Sequence, residues 1–468
     1  MSEQLDSING QPLAAGAAAS LDQLTDLGNA ERLIEQQGEE IRYAPGLGWL
    51  VWEAGRWRRD DDGAVLRRMK LTVRAIEREA LEIDDDGRRK RLLKEALRSE
   101  GHPRLHAAVS LAASDERVLV RPHELDADPL LLNVANGTIH LQVDELVEHD
   151  PANLLTKLAP VEFSHEAEAP CWQAFLERVF AGDAELIAFL QRAVGYSLTG
   201  STAEQVLFLL HGSGANGKTT FIETLRALLG DYGQQTPTET FLERRGDAIP
   251  NDLARLRGAR FVAAVETGEG RRLSETLVKR LTGGDTITAR FLRQEFFEYV
   301  PSFKAWIATN HLPEIRGTDE AIWRRIRLIP FNVTIPEHER DPRLPAKLRE
   351  ELPGILRWAV EGCHAWHAHG GLAPLPAAVT SATGAYRSDM DVLGGFLEDC
   401  CEVEGDARVA SSVLFTRYGY WCPSNGREQL SQQAFGRRLH ERGFKSERTK
   451  KQRLWLGLRL EGVTDDAS

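Results

Sequence analysis

Val206–Thr220 reads VLFLLHGSGANGKTT. The apolar run Val206–Leu210 is the length of a buried strand. It enters Gly212-Ser-Gly-Ala-Asn-Gly217-Lys218-Thr219, a complete G-x-x-x-x-G-K-[ST] phosphate loop. Phe221, Leu225 and Leu228 then recur at helical spacing, and Gly230 is a natural stop. Gly212, Gly214 and Gly217 let backbone N–H groups turn towards phosphate oxygens. Asn216 and Thr220 complete the loop and the first helical turn. The helix N-terminus offers positive potential to the same anion. Lys218 supplies a cation for the outer phosphates, and the Thr219 hydroxyl is a magnesium ligand. A strand, a loop and a helix in this order predict a nucleotide-binding α/β core.

Hydrolysis needs a carboxylate at a neighbouring strand end. Arg260–Glu266 (RFVAAVE) is an apolar strand ending in Glu266, a candidate for the magnesium shell or for polarising water, with Glu269 second. A solvated acid at a strand end is the plain alternative. A third strand, Phe303–Asn310 (FKAWIATN), ends in an amide that can orient water, or in a turn-forming Asn. Glu320–Phe331 (EAIWRRIRLIPF) places Arg324 and Arg325 before an alternating strand. Such arginines stabilise developing phosphoryl charge, or merely mark an exposed basic turn. Between these segments, Thr286–Arg290 and Phe296–Val300 read as a hairpin with Phe291 and Arg293 near its tip. A basic, aromatic tip suits a single strand with stacked bases, and an ordinary surface hairpin is the alternative.

At 468 residues the chain has room for two to four domains. A hydrophobic fraction of 42% and a charged fraction of 27% match soluble globular protein. No apolar run reaches the roughly 18 residues of a membrane span, and MSEQLDSING lacks a signal-like core. Five cysteines without a C-x-x-C pair argue against a zinc site or a disulfide framework and point to a cytoplasmic setting. A net charge of −12 excludes a protein coated in nucleic acid but allows contact through basic loops. The triplets Asp60–Asp62 and Asp84–Asp86 read as solvated turns.

Residues 1–24 are expected to be disordered, and 25–170 to form an α+β domain with helical segments. Leu130–Leu141 (LLLNVANGTIHL) reads as a hairpin turning at Asn-Gly. A helical collar over 171–202 precedes the nucleotide-binding domain over 203–335. A helical connector follows over 336–395, a basic domain over 396–462 and a tail over 463–468. In the basic domain, Ser431–Gly443 predicts a capped helix and Lys445–Leu460 a basic ribbon. Arg427–Arg459 carries ten Lys/Arg against three Glu, a local excess of seven in an acidic protein. Helix then ribbon suggests a winged-helix-like module on duplex DNA through Arg437, Arg438, Lys450, Lys451 and Arg453. An oligomer-facing or merely soluble basic domain is the alternative.

These elements, in this order and spacing, resemble helicases of superfamily 3, specifically the C-terminal part of phage, plasmid and poxvirus primase-helicases. The strings NVANGTIHL, HDPANLLTKLAPVEF, FLQRAVGYSLTG, ETGEGRRLSETLVKRLTGGDTITARF and ATNHLPEIRGTDEAIWRRIRLIPF carry the likeness, which covers about residues 25–460. The resemblance implies an AAA+-like ATPase core with a parallel sheet, using ATP and Mg2+; no NKxD guanine-recognition string is present. It makes Lys218 and Thr219 the nucleotide pair, Glu266 the acid with Thr267 where a second acid is common, and Asn310 the sensor. It makes Arg325 the arginine finger with Arg324 as competitor. It places Lys279, Arg290, Phe291 and Arg293 at a DNA-binding hairpin.

The implied activity is that of a ring-forming helicase, a homo-hexamer translocating 3′ to 5′ on single-stranded or forked DNA. The implied setting is phage, plasmid or mobile-element replication in a bacterial cytoplasm, beside a separate primase or polymerase. A nucleotide-switched origin-binding module, or an ATPase that remodels protein, is the alternative. The likeness begins almost at the N-terminus, which leads us to expect no primer synthesis by this chain alone.

Overall fold

A computed structural model describes residues 24–243, 251–265, 271–291, 295–317, 319–450 and 452–461. The chain forms two units: residues to Ala167 together with Leu228–Tyr232, and Glu168–Ala227 together with the remainder.

The first unit holds α1 (Asp26–Gln37), the meander β1 (Ile41–Ala44), β2 (Gly48–Glu53) and β3 (Arg56–Arg59), then α2 (Ala64–Leu81), α3 (Asp86–Ser99) and α4 (His102–Ala112). A second meander follows: β4 (Leu131–Val134), β5 (Gly137–His140) and β6 (Glu145–Val147). The acidic triplets are largely exposed, as expected, and also cap helices. Asp60 accepts from the N–H groups of Ala64 and Val65 at the start of α2, and Asp85 caps α3 through the Arg88 N–H at 2.5 Å. Carboxylates at helix N-termini satisfy orphan donors and complement the dipole. Among the described residues no group of three His, Cys, Asp or Glu is placed to hold a metal. The β4–β5 hairpin exists, but its turn is Ala135-Asn136; Gly137 already pairs with Val134. Gly137 is fixed by a close approach, because a Cβ there would meet the Val147 carbonyl oxygen at 2.4 Å.

The second unit opens with α5 (Pro170–Val179) and α6 (Ala184–Leu198). Its centre is a five-stranded parallel sheet: β7 (Leu207–His211), followed by α7 (Lys218–Leu229), then β8 (Gly233–Gln235), α8 (Asn251–Ala254), β9 (Phe261–Val265) and α9 (Glu275–Gly283). The hairpin of β10 (Ile287–Ala289) and β11 (Phe297–Tyr299) is inserted before β12 (Lys304–Thr309), α10 (Glu320–Trp323) and β13 (Ile326–Pro330). Strand order is β13-β7-β12-β9-β8, so β12 lies between the loop strand and β9. This is the expected α/β, AAA+-like core. β7 and β9 read as unbroken apolar runs, as buried parallel strands do. All six residues of β12 are buried; Trp306 stacks on Phe208 at 4.1 Å and donates to Ser197 Oγ at 3.1 Å.

Helices α11 (Leu344–Glu350) and α12 (Leu352–His369) follow the sheet. Then come α13 (Ala377–Met390), α14 (Val392–Cys400), β14 (Cys401–Ala410), α15 (Ser411–Ser424), α16 (Gln432–Glu441), β15 (Ser446–Arg448) and β16 (Arg453–Leu460). In the last module α14–α16 pack on the sheet β14-β16-β15 around Phe396, Tyr418, Phe435 and Trp455, a winged-helix-like arrangement. Ser431 caps α16 by accepting from the Ala434 N–H, as its sequence position predicts.

Candidate nucleotide and nucleic-acid sites

The phosphate loop emerges from the C-terminal end of β7, where parallel strands open a crevice for ligands. Gly214, Ala215 and Gly217 take φ of +107°, +48° and +88°. Such a run aims successive N–H groups inward. Gly217 is required on steric grounds also, since a Cβ would press on Phe175 and Val179 of α5. Asn216 donates to the Phe331 carbonyl at 2.9 Å, and the Ile335 N–H to the Ala215 carbonyl at 2.9 Å. The loop is thereby tied to the segment after β13.

Lys218 is buried in this cleft of about 320 Å³. Its ammonium donates to the Gly212 carbonyl (2.7 Å), Asn216 Oδ1 (3.0 Å) and Asn310 Oδ1 (3.0 Å). Burial holds it below the usual lysine range. Asn310 is brought there by β12, and its bearing is set by Thr309, whose Oγ1 accepts from the His311 N–H at 3.0 Å. Thr219 is exposed and Thr220 half-buried at the start of α7. Val265 and Ala308 are paired neighbours at the same mouth. Glu266 and Glu269 lie outside the described residues, as do Arg293 and Lys451.

The arginine pair is at the other end of the sheet. Ile326 pairs with Leu207 and Pro330 with His211, so Arg325 precedes the first rung of β13 while the phosphate loop follows the last rung of β7. At about 3.3 Å per residue, some 16 Å of strand separates them. Arg325 is buried. Its Nε donates to Thr282 Oγ1 (3.1 Å), and its two terminal nitrogens donate to the Ala321 carbonyl (2.5 Å) and Gln205 Oε1 (3.1 Å). Burial, followed by the Arg324 charge, lowers its pKa. Arg324 is exposed and donates to the same Gln205 oxygen at 2.7 Å. Neither Gln205 nor Thr282 stands out in the sequence, because their partners are 119 and 43 residues away.

At the hairpin, Phe291 and Phe296 are 37% and 51% exposed. The Arg290 guanidinium lies 4.8 Å over Phe296, and Phe291 stacks on Phe297 at 5.7 Å. The strands are shorter than expected because pairing ends at Ala289–Phe297. Lys279, on α9 before the hairpin, pairs through its ammonium with Asp319 at 2.8 Å. In the C-terminal module, Lys450 is exposed in the turn between β15 and β16, which Thr449 closes against the Gln452 carbonyl at 2.8 Å. Arg453 and Arg437 are exposed. Arg438, expected on the DNA face, is buried and donates to the Arg316 carbonyl at 2.6 Å. One residue along a helix turns a side chain about 100°, which moves it from solvent to the core.

Family profiles match three parts of the chain. A "D5 N terminal like" domain matches residues 30–181, a "Poxvirus D5 protein-like" domain residues 388–459, and a family of unknown function residues 210–325. A protein named as a helicase, L207/L206 of Acanthamoeba polyphaga mimivirus, is 27% identical over 326 residues, 64% of this chain and 34% of that protein. A protein of Frog virus 3 (isolate Goorha) named as a helicase, 022R, is 28% identical over 272 residues, 54% of this chain and 28% of its own length. C962R of African swine fever virus, named as a primase, is 26% identical over 336 residues, 64% of this chain and 34% of that protein. The apo structure of the NrS-1 C terminal region is similar with a TM-score of 0.49 and 10% identity over 92% of this chain and 98% of that one. The chain thus spans about a third of the length of these viral relatives. No described helix is long and apolar enough to cross a membrane. A D5 N-terminal-like match ahead of the phosphate-loop sheet and a poxvirus D5-like match behind it are consistent with the helicase part of superfamily 3.

Proposed function

We propose that this chain is an ATP-driven DNA helicase motor whose active site is completed between neighbouring copies, in the replication of a phage, plasmid or other mobile element. The observation that carries the reading is the contact of Lys218 with Asn310 across one cleft, which joins the phosphate loop to the end of β12. A triphosphate entering the cleft replaces carbonyl oxygens as the partner of the Lys218 ammonium. Asn310, released, is placed to hold water against the terminal phosphate. The residue type fits a magnesium ion: Thr219 is an exposed hydroxyl residue beside the left-handed turn. Bound there with Glu266, the ion would withdraw charge from the phosphates. The arginine pair is too far along β7 to serve its own nucleotide, which supports service to an adjacent copy in a ring, a homo-hexamer by analogy.

The exposed hairpin aromatics with Arg290 suit stacking on single-stranded DNA, and Arg437, Lys450 and Arg453 suit duplex phosphates ahead of a fork. A separate primase or polymerase would work beside it. The test is ATP hydrolysis by the purified chain with and without single-stranded DNA, paired with the mass of the assembled species and unwinding of a forked duplex. DNA-stimulated hydrolysis with strand displacement is expected. Tight duplex binding without displacement overturns the motor in favour of an origin-binding switch, and hydrolysis indifferent to DNA overturns both.

A further inference from the structure

We infer that Gln205 is a positioning residue for an arginine that acts on the neighbouring copy's nucleotide, and that Arg324 is the arginine that reaches while Arg325 is its platform. The inference rests on the proposed ATPase reading and divides the labour within it. Two guanidiniums on adjacent residues repel each other and would splay apart unaided. Here both donate to one oxygen, Gln205 Oε1, at 2.7 and 3.1 Å. Two cationic donors on that atom leave the side-chain amide only one sensible orientation, with its carbonyl between them.

The loop that presents Gln205 is held firmly. Its N–H donates to the Thr202 carbonyl at 3.0 Å, and its φ of +51° is left-handed. The buried Lys304 ammonium donates to the carbonyls of Thr199 (2.5 Å) and Ser201 (3.1 Å). Trp366 Nε1 donates to Glu204 at 2.8 Å. Arg325 cannot be the reaching group without abandoning Thr282 and the Ala321 carbonyl inside the fold. Arg324 is exposed, and Gln205 holds a single terminal nitrogen of it.

An amide suits this post better than a carboxylate. A glutamate would grip both arginines more strongly but would cancel charge that is needed at a phosphoryl group in the transition state. The neutral carbonyl orients Arg324 and leaves its full charge available.

The test uses the full chain: Gln205→Ala, Gln205→Glu, Arg324→Ala and Arg325→Ala, each measured for kcat and KM of DNA-stimulated ATP hydrolysis and for thermal midpoint. Arg324→Ala should lower kcat by on the order of 10³-fold with KM unchanged, and mixing it with Lys218→Ala protein should restore part of the rate. Arg325→Ala should chiefly lower the thermal midpoint. Gln205→Ala should lower kcat by roughly 10- to 100-fold, the scale of a misplaced group. Gln205→Glu should also lower kcat while matching or exceeding the wild-type midpoint. A merely structural role predicts the reverse, and wild-type kcat in Gln205→Glu overturns the inference alone. Partial rescue by Arg325→Ala rather than Arg324→Ala overturns the division of labour. A wild-type chain that binds DNA yet turns over no ATP overturns the ATPase reading and this inference with it.

Discussion

The phosphate loop and the C-terminal module both carry cations that the proposed function directs at phosphate, and they arrange them in opposite ways. In the loop, consecutive residues converge. Left-handed turns at Gly214, Ala215 and Gly217 fold the backbone around one cleft, and Lys218 points into it. In the module, adjacent residues diverge: Arg437 faces solvent while Arg438 is buried and holds the Arg316 carbonyl. The arginines before β13 behave like the module, with Arg324 out and Arg325 in. A motif written in backbone turns makes its site locally, whereas a charge on a regular helix acquires its role from whatever packs against that helix.

The largest effect expected from this contrast is at Lys218. Lys218→Ala should lower ATP hydrolysis by at least ~10³-fold while circular dichroism stays native. Appreciable turnover in a phosphate-release assay would remove the loop from the chemistry. The wing comes next. Lys450, Lys451 and Arg453 changed together to Ala should weaken duplex binding and reduce the slope of log affinity against log salt by about 0.9 for each phosphate no longer neutralised. An unaltered slope would place DNA elsewhere.

Arg438→Ala should cost about 1–3 kcal/mol in urea unfolding, because it strands the Arg316 carbonyl and removes a buried charged donor, with little change in salt slope. The smallest effect belongs to its neighbour. Arg437→Ala should leave stability within about 0.5 kcal/mol and shift the salt slope by about 0.9 at most. If the two substitutions behaved alike, the inside–outside division of α16 would be wrong.

Much of the core was legible in the chain because its signals are local. An apolar run with a glycine loop gave β7 and α7, and runs ending in Val265 and Asn310 gave β9 and β12. The capped helix and basic ribbon gave α16 with β15 and β16. The Asn-Gly turn was read one residue late, since Gly137 had to begin a strand pressed against β6. The acidic triplets are the solvated turns expected, but their capping is visible only once a helix start is located. The ion pair of Lys279 with Asp319 was not legible, because the two lie 40 residues apart.

The amino-acid order alone determined that a glycine-rich turn would form after β7, because φ above zero is a property of glycine-rich backbone and needs no distant partner. Only the tertiary fold decided which charges remain in water. Burial is imposed by neighbours far along the chain, and it drew Arg325 towards Gln205 and Arg438 towards Arg316 while leaving Arg324 and Arg437 outside.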